Sequence, residues 1–119
     1  MLTNAQQTAA TSIIAGLSAN VQSLEAMEKS LEGQDLGALY VLQCGLLYIK
    51  QDGAAVSARG LVAATRYTLE EARKLAPTIT NGNGTKAVPV AMAEALPAAL
   101  ARARGLLSDM QAAAADVGL

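Results

Sequence analysis

The side chains that could do chemistry in this chain are few. Histidine is absent, which removes the usual general base and the ligand of most zinc sites. The single cysteine, Cys44, lies in an apolar run, where we expect an unreactive buried thiol. Glu70 and Glu71 are adjacent, so on a helix they would point in different directions and make a poor acid–base pair. We therefore predict a protein that is not an enzyme and has no cofactor or metal.

Three arginines repeat at seven-residue intervals: Arg59, Arg66 and Arg73. On a helix they would form a basic stripe, which is usually solvated but can also be the polar rim of an interface. A helix-turn-helix with its turn at Gly60 is disfavoured, because the residues after it continue a helical pattern. The net charge of −1 also gives no strong attraction to DNA. We expect no direct contact with nucleic acid.

The composition favours helices that approach each other closely. Hydrophobic residues make up 52% of the 119, alanine dominates them, and Phe and Trp are absent. The length suits one domain, so we predict a single all-α domain over residues 1–119, a small bundle of about four helices. One cysteine excludes an intrachain disulfide framework. The N-terminal sequence lacks the features of a secretion signal, which predicts a cytoplasmic protein without a membrane segment.

The first two helices are predicted from the residues that would begin and end them and from their apolar periodicity. Thr3 and Gln6 fit a capping box for a helix over residues 4–32, which Gly33 would end. The central stretch Leu36–Ile49 is almost continuously apolar and too short to span a membrane, so we predict a buried helix there. A short turn between these two helices predicts antiparallel packing.

The second half of the chain gives two further helical patterns. One covers about 54–76 and stops at Pro77, although a second capping box at Thr68 leaves open a break near Arg66–Thr68. The other covers about 89–115, and Pro97 would kink or divide it. Between them, residues 78–87 contain two Asn-Gly pairs and predict a flexible loop.

The central helix would carry more apolar surface than one packing face needs. At 100° per residue it has one aliphatic face and a second apolar face that includes Tyr40, Leu47 and Tyr48. Neighbouring helices of the same chain could cover both faces. Alternatively, the tyrosine-containing face meets another protein, since tyrosine is favoured at interfaces. In that case we predict partner contacts through the anchors and the arginine rim: Tyr40, Leu47, Tyr48, Arg59, Arg66 and Arg73.

These observations favour a small regulatory protein that binds another protein through an apolar helical surface. In length, helical pattern and lack of catalytic groups the chain resembles small bacterial anti-activators of quorum-sensing transcription factors. That resemblance implies binding to a transcription regulator and loss of its dimer. We expect a homodimer that pairs through the tyrosine face or through the first helix. The alternatives are a self-assembling structural helical subunit, a secretion chaperone, or a binder of small apolar ligands.

Overall fold

The computed structural model describes residues 3–79 and 84–118, and it is a mixed α/β structure. The prediction of an all-α bundle is therefore wrong. Helix α1 is followed by three strands, a short helix, a fourth strand and a long helix. Their bounds are α1 Asn4–Ser30, β1 Tyr40–Cys44, β2 Leu47–Asp52, β3 Ala55–Arg59, α2 Leu69–Leu75, β4 Val88–Ala91 and α3 Met92–Asp116.

The four strands form one antiparallel sheet in the order β3-β2-β1-β4. Two-residue turns join the first three strands, and each turn begins with a glycine, Gly45 at φ 66° and Gly53 at φ 62°. A glycine with positive φ at the first turn position is typical of type II′ hairpins, whose twist matches that of the strands. The last strand then pairs with β1 from far along the chain, with Val90 opposite Val41.

The predicted central helix is replaced by the hairpin of β1 and β2. Gly45 interrupts the apolar run, and the residues on either side of it are rich in Tyr, Val and Ile, which fit a pleated sheet better than a helix. Asp35 does not cap a helix; its Oδ1 accepts a 3.1 Å hydrogen bond from the backbone N–H of Gly37 in a turn. A second helix packed antiparallel on the first is consequently also wrong.

The capping predictions are confirmed at both sites. The Thr3 hydroxyl accepts from the N–H of Gln6 at 3.1 Å, and the Gln6 side chain accepts from the N–H of Thr3 at 2.9 Å. At Thr68 the same reciprocal pair forms with Glu71 and begins α2. The continuous helix over 54–76 is therefore wrong. A helix does begin at Thr68, as the alternative predicted, but the residues before it form β3 and a 3-10 turn and not a first helical part.

Helix α3 runs unbroken through Pro97, so a division of the helix there is wrong. Pro97 lies early in α3, where it removes only the bond to the carbonyl of Ala93. Pro89 belongs to β4 instead of starting the helix. The predicted loop 78–87 lies partly outside the described residues; of its remainder, Thr78 ends a 3-10 turn and Ala87 is buried.

Two apolar clusters lie on opposite sides of the sheet. The larger one is sandwiched between the sheet and helices α1 and α3, with Leu24, Val41 and Leu96 in its centre. The smaller one lies under α2 and contains Leu42, Ile49 and Ala72. Among the described residues no polar or charged residue is buried. The sheet therefore has a face covered by α1 and α3, called here the long-helix face, and a face covered by α2, called the short-helix face.

A fork opens between β1 and β2 away from their turn. The two strands pair only at Gln43–Tyr48 and Cys44–Leu47, and then the segment 65–67 enters between them. Tyr67 exchanges backbone hydrogen bonds with Tyr40 at 2.7 and 2.8 Å, while the N–H of Thr65 donates to the carbonyl of Ile49 at 3.0 Å. The inserted segment thus satisfies backbone groups that the separated strands leave open.

Candidate protein-binding site

Strand β3 is an outer strand of the sheet, and four of its five residues are exposed. In its hairpin with β2 the pair Asp52–Ala55 flanks the two-residue turn and is hydrogen-bonded, so the hydrogen-bonded pairs alternate from there. The backbone groups of Val56 and Ala58 therefore point away from β2. Among the described residues nothing pairs with these outward groups. They form a short, open template for another strand.

The side chains of the same two residues lie on the short-helix face, where α2 does not reach. Val56 is 44% exposed and Leu47, on the adjacent strand, is 48% exposed. Together they border a shallow groove of about 220 Å³. Its apolar lining comes from three strands and the chain after α2: Cys44, Leu47, Ile49, Val56, Ala58 and Ile79. We call β3 with this lining the β3 groove.

The opposite edge of the sheet is less suited to strand pairing. Leu42 and Pro89 are opposite each other in the pairing of β1 with β4. The backbone groups of Tyr40 and Cys44 form hydrogen bonds on the side of β1 that faces β2, and those of Leu42 point the same way because the direction alternates from residue to residue along a strand. Pro89 therefore presents its ring nitrogen, which lacks a hydrogen, at the outer edge of β4. Proline at such a position is a common protection of a sheet edge. Strand β3 has no proline and carries one charged residue, Arg59 at its end.

The predicted anchors do not share one face. Tyr40 and Leu47 lie on the short-helix face, while Tyr48 points to the long-helix face, because side chains alternate along a strand. Tyr48 is 8% exposed and belongs to the larger core cluster, so its ring stabilises the fold. Tyr40 packs beside Tyr67 at the fork. Leu47 is the predicted anchor that the structure leaves open to a partner.

The arginine stripe does not exist in the folded chain. Arg59 ends β3, Arg66 lies in the inserted segment beside α1, and Arg73 is on the exposed side of α2. Because the three arginines are not on one helix, their seven-residue spacing does not place them on a common face. An ion pair does form on α2, with the Lys74 Nζ 3.7 Å from the Glu70 Oε1, but both side chains are largely exposed. Such a pair adds little stability.

A second groove lies where α3 meets the turn between β1 and β2. Tyr48, Arg102 and Leu106 line it, and its volume is about 240 Å³. Burial raises the pKa of the Tyr48 phenol, and the nearby Arg102 guanidinium partly offsets that rise. Because burial is the larger of the two effects, the phenol stays neutral at physiological pH. We find no acid or base positioned there for proton transfer.

Sequence reasoning missed Val56 and Ala58, although a signal was present. Gly53 between two runs with β-branched residues is a hairpin signal, because glycine at the first turn position suits a type II′ turn. It predicts that the residues after Gly53 form a strand and not the start of a helix. Because the hairpin is at the end of the β3-β2-β1-β4 order, its second strand becomes an edge.

No group of three Cys, Asp or Glu side chains could hold a metal ion within residues 3–79 and 84–118. In the same part of the chain, no helix combines the length and apolar character needed to cross a membrane. Comparisons of the chain with protein families, with curated proteins and with solved structures give no match.

Proposed function

We propose that this protein is a small cytoplasmic regulatory module that binds another protein by taking up an extended segment of it as a fifth strand beside β3. One observation carries the proposal. The residues whose backbone groups point outward, Val56 and Ala58, also contribute the side chains of the β3 groove. Main-chain bonds give affinity in this mode of recognition, and pockets for alternate side chains give specificity.

The chemistry of the groove defines the partner segment. It should be extended and should place apolar side chains at every second position, so that they reach Leu47 and Val56. Its charge is less constrained, because Arg59 is the single charged residue of β3. The resemblance to anti-activators depended on helical character across the chain, which the sheet removes. We therefore define the partner by its chemistry and not by a pathway.

A proline substitution can test the site without breaking the fold. The N–H of Val56 points away from β2, so Val56→Pro removes an outward donor and leaves the hairpin bonds intact. Val56→Ala is the matched control, because it shortens the side chain and keeps the donor. Peptides would be selected from a displayed random library against the wild-type protein. Their affinities for the three proteins would be measured by fluorescence anisotropy.

We expect the selected peptides to bind Val56→Pro at least about tenfold more weakly than Val56→Ala, as the loss of a main-chain hydrogen bond implies. Amide hydrogen exchange at Val56 and Ala58 should slow when peptide is bound. Equal binding to the proline and alanine variants would overturn the proposal, and so would a selection that yields no peptide sensitive to Val56→Pro. If β3 instead pairs with β3 of a second copy, the self-assembling subunit becomes the better interpretation.

A further inference from the structure

The chain exposes more surface than a compact monomer of its size. Its accessible surface is 7345 Å², whereas a folded 12.1 kDa monomer is expected to expose about 6,000 Å². Its radius of gyration is 17.0 Å, against about 13.5 Å expected for a compact chain of this length. The excess is roughly 1,300 Å², more than the area of roughly 800 Å² that each partner buries in a stable interface.

The excess comes from a two-helix arm. Helices α1 and α3 lie antiparallel, with the Glu25 carboxylate 3.5 Å from the Arg104 guanidinium. Helix α1 contributes to the larger apolar cluster only from Val21 onward, and α3 only as far as Leu107. The remaining turns, residues 4–20 of α1 and 108–116 of α3, extend past the sheet, and since α1 has seventeen such residues and α3 nine, the first turns of α1 extend beyond α3 as well. We call these turns the arm.

One side of the arm is apolar and open. On α3, Leu106, Met110 and Ala113 follow at intervals of four and three, on the side where Ala99 faces the sheet further back, and Val117 just past the helix end continues the series. Leu106 is 48% exposed, and Ile13 of α1 is 49% exposed. Where α3 meets the sheet, Leu46 in the turn between β1 and β2 lies beside Leu106 and is 67% exposed. This apolar stripe continues the core beyond the point where the sheet stops.

The arm is also unusually poor in charge. Residues 3–24 contain no charged side chain, although most of them are exposed. Solvated helix surfaces normally carry both signs of charge at a high density. A second copy can therefore approach α1 without like-charge repulsion. Alanine and serine along the helix allow close packing of the two backbones.

The flank beside the stripe carries Arg102, Asp109 and Asp116 at intervals of seven, so an antiparallel pair would place opposite charges together at its two ends and the two copies of Asp109 near its axis. Arg102 stands near the sheet end of α3 and Asp116 at its far end, and both lie on the same flank of the helix. Neither side chain forms an ion pair among the described residues. A twofold axis near Met110 would bring Leu106 level with Ala113 of a second copy. The same axis would bring Arg102 level with Asp116 of that copy, twice per dimer.

We propose that a second copy of this chain covers the arm, so that the two arms form an antiparallel four-helix bundle with Arg102–Asp116 pairs at both ends. Bundles of this kind bury apolar stripes between helices that cross at small angles. The interface replaces the tyrosine face as the location of the expected homodimer. It is separate from the β3 groove and does not depend on the proposed function.

Charge reversal tests the pairing directly. Analytical ultracentrifugation should give twice the 12.1 kDa chain mass for the wild-type protein. Arg102→Glu and Asp116→Lys should each weaken the dimer by about tenfold or more, since each places like charges opposite one another. The variant with both changes should recover most of the wild-type affinity. A cation near a helix C-terminus favours the helix, so dissociation of Asp116→Lys would not come from unfolding.

A second pair of variants tests the apolar stripe. Leu106→Asp should abolish the dimer, while Ala112→Asp, on the opposite side of α3, should leave it unchanged. Circular dichroism would verify that both proteins are folded. A wild-type monomer at high micromolar concentration would overturn the proposal, and so would a double charge-reversal variant that stays as weak as the single ones. Val56→Pro should remain dimeric, which separates this interface from pairing through β3.

Discussion

The hydroxyl of Tyr67 donates a 2.8 Å hydrogen bond to the Oε1 of Gln51. This bond joins the segment inserted at the fork to strand β2, and the N–H of Gln51 in turn donates to the Thr65 hydroxyl at 2.7 Å. Tyr67 is largely buried and the bond itself is partly buried, so water competes with it less than at an exposed site. Burial raises the pKa of the Tyr67 phenol, which keeps it a proton donor at physiological pH.

Removal of that hydroxyl gives the first prediction. Tyr67→Phe should lower the free energy of unfolding by about 1 kcal/mol, the typical net value of one hydrogen bond. Tyr48→Phe is the matched control, since no hydrogen bond to the Tyr48 hydroxyl is formed within the described ranges. Urea unfolding followed by circular dichroism measures both. Equal losses in the two variants would show that the bond at the fork contributes nothing specific.

The capping box of α2 predicts a pH dependence. Hydrogen bonds from the backbone and the hydroxyl of Thr68 lower the pKa of Glu71 below its ordinary value of 4.5. A carboxylate with a lowered folded-state pKa stabilises the fold above its unfolded pKa. That contribution is lost as the pH falls through the folded pKa. Between pH 7 and about pH 3, Glu71→Gln should therefore lose less stability than the wild-type protein.

Glu70 provides the control for this experiment. It is adjacent to Glu71 but pairs with Lys74 on the surface and has no part in the cap. Glu70→Gln should follow the wild-type curve of urea midpoint against pH. If both variants flatten the curve equally, the acid sensitivity arises from overall charge and not from the cap.

The strand structure of residues 36–49 predicts a large difference between two leucines. A helix would put Leu42 and Leu46 on one face, four residues apart. In the sheet Leu42 is fully buried and Leu46 is at the tip of a turn. Leu42→Ala should lower the free energy of unfolding by about 2–5 kcal/mol. Leu46→Ala should change it by no more than about 0.5 kcal/mol at concentrations where the chain is monomeric. Similar costs for both would contradict the hairpin.

The turn between β2 and β3 gives a fourth prediction. Gly53 has φ 62°, where a residue with a Cβ is disfavoured by about 1–2 kcal/mol. Gly53→Ala should lower the free energy of unfolding by that amount, as measured by chemical unfolding. Gly60→Ala is its control, because Gly60 has φ −70° and its added Cβ would meet no atom within 4 Å. The control should be neutral or slightly stabilising.

The sequence allowed the first and last helices to be predicted, because each has a long periodic apolar face. The capping box at Thr3 located the start of α1, and the repeat through Leu96, Leu100 and Leu107 located α3. Long amphipathic patterns keep their period over many turns, so one proline or glycine does not hide them. Their pairing with each other could not be predicted, since it depends on the sheet that brings their ends together.

The strands were missed because short apolar runs fit both periods. In the run Leu36–Ile49 almost every position is apolar, so neither the helical nor the alternating pattern stands out. The glycines at positions 45 and 53 are the deciding signals, because each can take the positive φ of a hairpin turn and neither favours a helix interior. The helical interpretation places Tyr48 on a surface, whereas the structure places it in the core. Most of the predicted interface depends on that surface.

The pairing of α1 with α3 also sets the order in which the chain can fold. The turns of α1 next to Val21 that extend past the sheet lie along α3, which is at the other end of the chain. An isolated helix of this composition is marginal in water, so these turns acquire stable neighbours only after α3 has been synthesised. The two hairpins can form early from contacts that are close in sequence. Closure between the chain's two long helices should then be the slow step.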